Sequence, residues 1–386
     1  MTLRASPPLT LELAARGIFG DEKFFVVDVG ASGGIGAQWY AFGGDLIAVG
    51  FDPLVAEVER LNQANTHSGI RYYSGYVGYG QYDRLFPEAL RGQKVKTRDN
   101  QPFRRSSAVR ATAVMKYDYI QRHFDPAGAG VYTQSRIELD EFLERDAPSD
   151  PDFIKVDTDG SDYQVLLGAE RTLREKPVLG LSVECQFHGP VHAHANLFSN
   201  IDTLLRSHGF SLFDLEPYSY SRAALPRPFR HRVPAQTIEG QVLWADALYL
   251  RDLGDADYET MWPVELSPVR ILKMACLFEI HGLEDCAAEL LLKYRPRVSS
   301  LVDVDACLDT LTPVFQGRKM SYPEYIRAFE EQTAAFYPEQ SATDLRSEQA
   351  RNRQLVREIL ELRASWSWRV TAPLRRLADG LGVLRR

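Results

Sequence analysis

Phe24-Phe25-Val26-Val27-Asp28-Val29-Gly30-Ala31-Ser32-Gly33-Gly34-Ile35-Gly36, residues 24–36, is the stretch on which the fold turns. An apolar run of strand length enters a glycine-rich turn, and residues 34–42 read as a helix. A short run that is apolar at successive positions fits a strand buried on both faces of a parallel sheet. Glycines let the turn adopt unusual dihedrals and bring a ligand close to the main chain. Working outward, Leu46–Phe51 reads as a second strand ending at Asp52-Pro53. Residues 54–65 read as a helix with Val55, Val58 and Leu61 on one face, and Ile70–Ser74 as a third strand. This is the βαβαβ order of a parallel sheet covered by helices.

Residues 90–150 interrupt the pattern, with polar and Gly-rich segments and two β-leaning runs, Ala108–Val114 and Val131–Leu139. They read as an excursion on the substrate side. The alternation resumes with strand Phe153–Val156, helix 162–174, strand Val178–Glu184, helix 196–208, strand Phe210–Leu215 and a closing strand Gln241–Leu250. Pro226, Pro228 and Pro234 forbid a simple hairpin in 217–240, which reads as one wall of a substrate cleft. Composition shifts near Gly254. The organisation read from the chain is an N-terminal segment 1–20, a sheet domain 21–254, a helical domain 255–340 and an amphipathic helical tail 341–386.

In the tail, Trp366, Val370, Leu374, Leu377, Leu381 and Leu384 fall on one helical stripe among arginines. Residues 361–386 hold six Arg and two acids, a net of +4 within a chain of −7. A basic amphipathic helix with Trp suits an anionic membrane surface, and equally a dock on this protein or a second copy in a homo-oligomer. The acidic total argues against a nucleic-acid partner. The four cysteines form no C-x-x-C pair, and no signal-peptide or membrane-length apolar run occurs, so the default location is cytoplasmic.

The turn fits two kinds of ligand. Gly30-Ala31-Ser32-Gly33-Gly34-Ile35-Gly36 resembles the Gly-x-x-x-Gly-x-Gly turn of short-chain dehydrogenases, which implies NAD(P). Their catalytic Tyr-x-x-x-Lys is missing, since none of the 18 tyrosines has Lys four residues on. The other reading rests on Asp28, two positions before the first glycine. Asp28-Val29-Gly30-Ala31-Ser32-Gly33-Gly34 is similar to the methyltransferase form (Asp/Glu)-x-Gly-x-Gly-x-Gly, with Ser32 in the middle glycine's place. A carboxylate there welcomes the cationic sulfonium of S-adenosylmethionine (SAM) and repels a pyrophosphate. Asp52, about 20 residues on, can accept ribose hydroxyls or cap the following helix.

A second block, Asp152–Glu170, carries a further resemblance. With Asp28-Val29-Gly30, Asp52, Leu139-Asp140-Glu141-Phe142, Lys155-Val156-Asp157-Thr158-Asp159-Gly160, Leu167-Gly168-Ala169 and Glu184, the chain resembles the FkbM family of SAM-dependent methyltransferases over residues 20–215. Asp159 stands where that family usually has Glu. The resemblance implies a Rossmann-like class I methyltransferase fold, a mostly parallel seven-stranded sheet with a C-terminal helical appendage, and methyl transfer to an oxygen, often a sugar hydroxyl of a natural product or surface glycan.

The site residues so expected are Asp28, Gly30, Ala31, Ser32, Gly34, Phe51, Asp52, Tyr76 and Val77 for the cofactor. Glu184, Asp157 and His188 are the catalytic candidates. Asp159 and Asp162 join an acidic cluster or cap a helix. His192 and His194 lack fixed convergence with it, and no metal is assigned. Two alternatives stay open: a nucleotide-dependent sugar oxidoreductase, and a glycan-assembly scaffold that keeps the fold without turnover.

Overall fold

The computed structural model describes residues 3–20, 22–85, 101–115, 133, 135–189, 191–263 and 266–337. The tail expected to be amphipathic lies outside the described residues. The chain up to Tyr322 forms one compact unit, and a second begins at Pro323, within the helix Tyr322–Glu331, and includes the 3₁₀ turn Thr333–Phe336. In that second unit Phe336 packs edge-on against Tyr325 and Phe329, with ring centroids 5.4 and 5.1 Å apart.

The main sheet is built from β1 (Phe24–Val29), β2 (Leu46–Asp52), β3 (Ile70–Ser74), β6 (Phe153–Val156), β7 (Gly180–Gln186), β8 (Ser211–Tyr220) and β9 (Gln241–Leu250). A two-stranded annex pairs β4 (Tyr76–Val77) with β5 (Arg136–Ile137). The main order is β3-β2-β1-β6-β7-β9-β8. β9 is antiparallel to both neighbours, and the other pairings are parallel. This is the Rossmann-like class I methyltransferase arrangement, and the order reverses between β1 and β6. In open α/β sheets that reversal opens a ligand crevice at the carboxyl ends of the strands.

β1 shows why its sequence is apolar without interruption. Side chains alternate across a strand. Phe24 and Val26 join one core with Trp39, Phe42, Leu61 and the helices Pro8–Ala15 and Pro268–Ile280. Phe25, Val27 and Val29 join the opposite core, with Phe142, Val165, Leu166 and Ile201. Each layer of helices therefore covers one face of the sheet.

Several elements differ from the sequence reading. Residues 34–42 do not form an α-helix; 3₁₀ turns over Ala37–Asp45 replace it, kinked at Gly43 with φ of 54°. Ala108–Val114 is not a strand but lies in the helix Ser107–Met115. Its alanines favour helix, and Thr112 Oγ1 donates back to the Ala108 carbonyl at 2.9 Å. Helix 162–174 divides into Asp162–Leu167 and Glu170–Glu175. At the break, a Cβ on Gly168 would stand 3.0 Å from the Gly78 carbonyl oxygen. β8 runs on to Tyr220, five residues past the expected end, because β9 supplies a partner along its length.

Two buried carboxylates anchor the helix Pro268–Ile280, one to the sheet and one to the helix Pro8–Ala15. Asp152, fully buried at the start of β6, accepts from Phe25 N at 2.9 Å and from Lys273 Nζ at 2.8 Å. Lys273 also donates to the Lys23 carbonyl. Glu279 accepts from Leu9 N, Thr10 N and Thr10 Oγ1 at 2.7, 2.8 and 2.7 Å. It thereby satisfies the first amides of a helix that starts on Pro8 and has no side-chain cap of its own.

Without Lys273 the buried Asp152 carboxylate would keep only the more distant Arg270 guanidinium, 3.7 Å away, against its charge. Lys273→Met is expected to lower the unfolding free energy by about 3–5 kcal/mol in urea titration. A loss below about 1 kcal/mol, the range of an exposed pair, would show that the pair is not an anchor.

Candidate functional site

The turn after β1 is closed by contacts that need glycine. Gly30 has φ of +87°, and a Cβ there would fall 1.8 Å from the Asp157 carbonyl oxygen. Gly30 N and Ala31 N both donate to the Phe51 carbonyl at 2.9 Å, and Asp157 N donates to the Val29 carbonyl at 2.9 Å. The ends of β2, β1 and β6 are thus drawn together. Gly34, with φ of +99°, sits against the Tyr72 hydroxyl, which accepts from Ile35 N at 3.2 Å.

Beside this turn opens a cavity of ≈450 Å³. That lies in the range of about 300–1,000 Å³ usual for small-molecule sites. Gly30, Ser32, Phe51, Asp52, Tyr76 and Val77, all expected at the cofactor, line it, together with Asp157 and Asp159. Ala31 and Gly34 shape the turn from behind, and Ala31 is buried. Asp52 Oδ1 also accepts from Leu54 N at 2.7 Å, so it organises the entry to the next helix while facing the cavity. Tyr76 is exposed and Val77 nearly buried on β4, whose pairing with β5 forms a shelf on that side. Arg136 is the sole cation lining the cavity among the described residues, against three carboxylates.

Asp28 is placed differently from the other cofactor candidates. It is buried, it is not part of the cavity lining, and its Oδ1 lies 3.2 Å from Lys155 Nζ. Lys155 also donates to the Gly30 carbonyl at 3.1 Å and pairs with Asp157 at 3.4 Å. Burial raises the Asp28 pKa against the pull of Lys155. Burial alone would lower that of Lys155, but Asp28 and Asp157 outweigh it and raise it. The acid that opens to the cavity beside the turn is Asp157, with its side chain 46% exposed.

Asp162 is fully buried and closes the loop after β6. It accepts from Thr158 N, Thr158 Oγ1, Gly160 N and Asn196 Nδ2 at 2.8, 3.0, 3.1 and 3.2 Å. Burial pushes its pKa up to about 6 against the bond from Thr158. The loop so held keeps Asp159 at φ of 56°, a left-handed conformation that few side chains adopt and Asp tolerates.

The catalytic candidates meet a surface the sequence reading did not foresee. Glu184 on β7 lies directly opposite Asp246 on β9, which lies opposite Glu216 on β8. Residues directly opposed across strands share a face. Burial, then repulsion from Asp162, Asp157, Asp159 and Asp246, pushes the Glu184 pKa up to about 9, so it holds its proton at neutral pH. Tyr218 donates its hydroxyl proton to Asp246. Two residues along β9, Trp244 stands edge-on to His188 at 4.8 Å, to Phe103 at 5.2 Å and to Tyr220 at 5.3 Å. His188 therefore joins an aromatic cluster next to the acid row. His192 and His194 bond to each other locally, His194 N donating to His192 Nδ1 at 3.2 Å. Among the described residues no group of three or more His, Cys, Asp or Glu converges to hold a metal ion. Nor is any helix among them long and apolar enough to cross a membrane.

The crevice at the strand-order reversal, with its glycine turn, the carboxylate at the end of β2 and its acidic lining, lies where a class I methyltransferase fold seats its cofactor. Residues 29–212 match the family model described as the Methyltransferase FkbM domain. No curated protein matches the chain. Solved structures similar to it include methyltransferase FkbM from Methylobacillus flagellatus, with 15% identity over 59% of this chain and 44% of that one, at a TM-score of 0.29. A TehB-like SAM-dependent methyltransferase from Corynebacterium glutamicum shares 9% identity over 63% of this chain and 87% of that one, at 0.27. Magnesium protoporphyrin IX methyltransferase from Synechocystis, solved with bound SAM, shares 10% over 63% and 78%, at 0.27.

Gly30→Ala places a methyl group inside the Asp157 peptide and forces an L side chain to positive φ. It is expected to cost roughly 2–5 kcal/mol of stability, read by urea titration. Wild-type stability in this variant would show that the three strand ends are not locked together at Gly30.

Proposed function

We propose that the enzyme is an O-methyltransferase whose acceptor is a sugar hydroxyl in a bacterial surface polysaccharide or related glycan. The observation that carries this reading is the face on which Glu184, Asp246 and Glu216 adjoin Trp244, Tyr220 and Phe103. Sugars present apolar C–H faces that pack on aromatic rings and hydroxyls that donate to carboxylates. A face carrying both fits that chemistry.

On this reading Asp52 accepts the ribose hydroxyls of SAM, and Tyr76 and Val77 flank its adenine. The turn from Gly30 through Gly34 lets its amino-acid end approach the backbone, with Phe51 beneath. Asp28 acts through Lys155 rather than by touching the cofactor, and Asp157 offers the nearby negative charge. Bound SAM supplies an electrophilic methyl group. Its cationic sulfur suits a lining of three carboxylates and one arginine, which would repel a pyrophosphate.

An acceptor hydroxyl is a poor nucleophile while protonated, and a positioned base contributes roughly 10²–10⁴-fold. Glu184 is the proposed base, with His188 and Asp157 orienting the acceptor. Its raised pKa makes the carboxylate a stronger base once ionised, and burial shields it from water. Peripheral location at the inner face of the membrane, through the basic residues 363–386, belongs to the same proposal.

Three measurements test it. Asp52→Ala should weaken SAM binding by about 10- to 150-fold in calorimetry, the value of bonds to a charged acceptor. Unchanged affinity would remove the ribose role. Because Glu184 must lose its proton to act, kcat/KM in a radiolabelled-methyl assay on glycan acceptors should rise with pH toward about 9. Glu184→Gln should lose turnover and that rising limb while binding SAM as the wild type does; a retained limb excludes Glu184 as base.

The same proton has a consequence for folding. The folded pKa lies above the unfolded value, so the stabilising contribution is complete below about pH 4.5 and is lost as pH rises through about 9. Wild-type stability should therefore fall relative to Glu184→Gln between pH 6 and 9 in paired urea titrations. Parallel curves would show that no proton is held there.

A further inference from the structure

The connection between β8 and β9 is neither a disordered loop nor an ordinary polar turn. Residues 222–238 contain Arg222, Arg227, Arg230, His231 and Arg232 and no Asp or Glu, inside a chain of net charge −7. They fold into a stiff lobe. Arg230 N donates to the Gln236 carbonyl at 2.8 Å and Ile238 N to the Pro228 carbonyl at 2.9 Å. Ser221 N donates to Thr237 Oγ1 at 2.8 Å, and that hydroxyl donates in turn to the Glu239 carbonyl at 2.7 Å. Helix Ser107–Met115 braces the base, where the Ser107 and Ser221 hydroxyls meet at 2.7 Å.

This stiff lobe nevertheless exposes large apolar side chains: Leu225 at 70%, Ile238 at 61% and Val233 at 45%. Three arginines stand among them. Arg227 is 3.7 Å from Glu239 and Arg230 is 3.9 Å from Glu216, both long pairs at exposed positions and worth little. Arg232, next to Val233, is exposed. Arg222 instead faces inward and donates to the Pro102 carbonyl at 3.0 Å.

We propose that residues 225–238 dock on an anionic phospholipid surface, the arginines meeting headgroup phosphates while Leu225, Val233 and Ile238 enter the interface. Charge complementarity selects an anionic partner for a basic lobe on an acidic protein. The apolar side chains between the arginines select a lipid surface over a free phosphate, which gains nothing from exposed Leu, Val and Ile. The lobe follows the carboxyl end of β8, the edge at which the crevice opens, and Tyr220 at that end belongs to the aromatic cluster. Docking there brings the acceptor face toward the bilayer, where a lipid-linked substrate would be presented. The inference does not depend on the acceptor being a glycan, because its test reads partitioning and not turnover.

The test is sedimentation of the full-length protein with phosphatidylglycerol–phosphatidylcholine vesicles and with phosphatidylcholine alone. Every lobe variant is also made in a full-length background whose tail arginines, Arg363, Arg369, Arg375, Arg376, Arg385 and Arg386, are glutamine, so that binding through residues 363–386 is read separately from binding through the lobe. Binding is expected to the phosphatidylglycerol-containing vesicles, weakened by salt. The triple variant R227Q/R230Q/R232Q should partition about 100-fold less, three arginines at about 1 kcal/mol each. L225S/V233S/I238S should also lose binding, and both variants should keep wild-type thermal unfolding and SAM affinity. If either variant partitions as its parent does in the tail-substituted background, or if the wild type binds inorganic phosphate but no vesicle, the proposal is wrong.

Discussion

The Lys155 ammonium holds together the edge on which the site is built. Asp28 and Lys155 face each other in register on parallel neighbours, and Asp157 follows two residues later. Without the cation, two carboxylates and the Gly30 carbonyl would crowd one spot at the strand ends. Lys155 touches all three within 3.4 Å. A buried carboxylate left unpaired loses its hydration without compensation. The pairing thus lets an acid occupy the interior of β1, and it leaves Asp157 oriented at the crevice while partly exposed.

That arrangement places the acid of the glycine motif one step behind the cavity. Local sequence could locate Asp28 next to the turn but not choose its partner, because Lys155 is 127 residues away and meets it only through strand pairing. The same limit explains Asp152 with Lys273 and Glu279 with the helix at Pro8, both contacts between distant segments. What the sequence did disclose was local: apolar runs buried on both faces, the turn glycines, Asp52 at the end of β2 and the order of the parallel strands. The misread Ala108–Val114 has the opposite cause. Its period is ambiguous over so short a run, and its alanines decided for helix.

The acid row was invisible for a third reason. Glu184, Asp246 and Glu216 are scattered over more than sixty positions and align only because β9 runs antiparallel between β7 and β8. A shift of one residue would turn Asp246 and Trp244 to the opposite face. Their alternation with the buried Leu243 and Ala245 was legible, but the register was not. Burial, and then repulsion from neighbouring carboxylates, raises the pKa of Glu184, and burial raises that of Asp246 against the bond from Tyr218. The row can therefore offer a proton donor and a proton acceptor side by side. Tyr218 enters the same network by donating to Asp246.

Charge is thus sorted by sign along the edge that holds the crevice. Three carboxylates line the cavity with Arg136 the one cation among its described lining, and Arg227, Arg230 and Arg232 stand on the β8–β9 lobe. The separation has a physical use. Moved inward, the arginines would neutralise Glu184 and Asp246 and draw the pKa of Glu184 back toward that of a free carboxyl. Arg230 reaches the acid row, 3.9 Å from Glu216 at its exposed end, where solvent and salt weaken the pair. The backbone bonds of the proline-stiffened lobe hold Arg227, Arg230 and Arg232 at the surface, while Tyr220 packs edge-on against Trp244 beside the acid row.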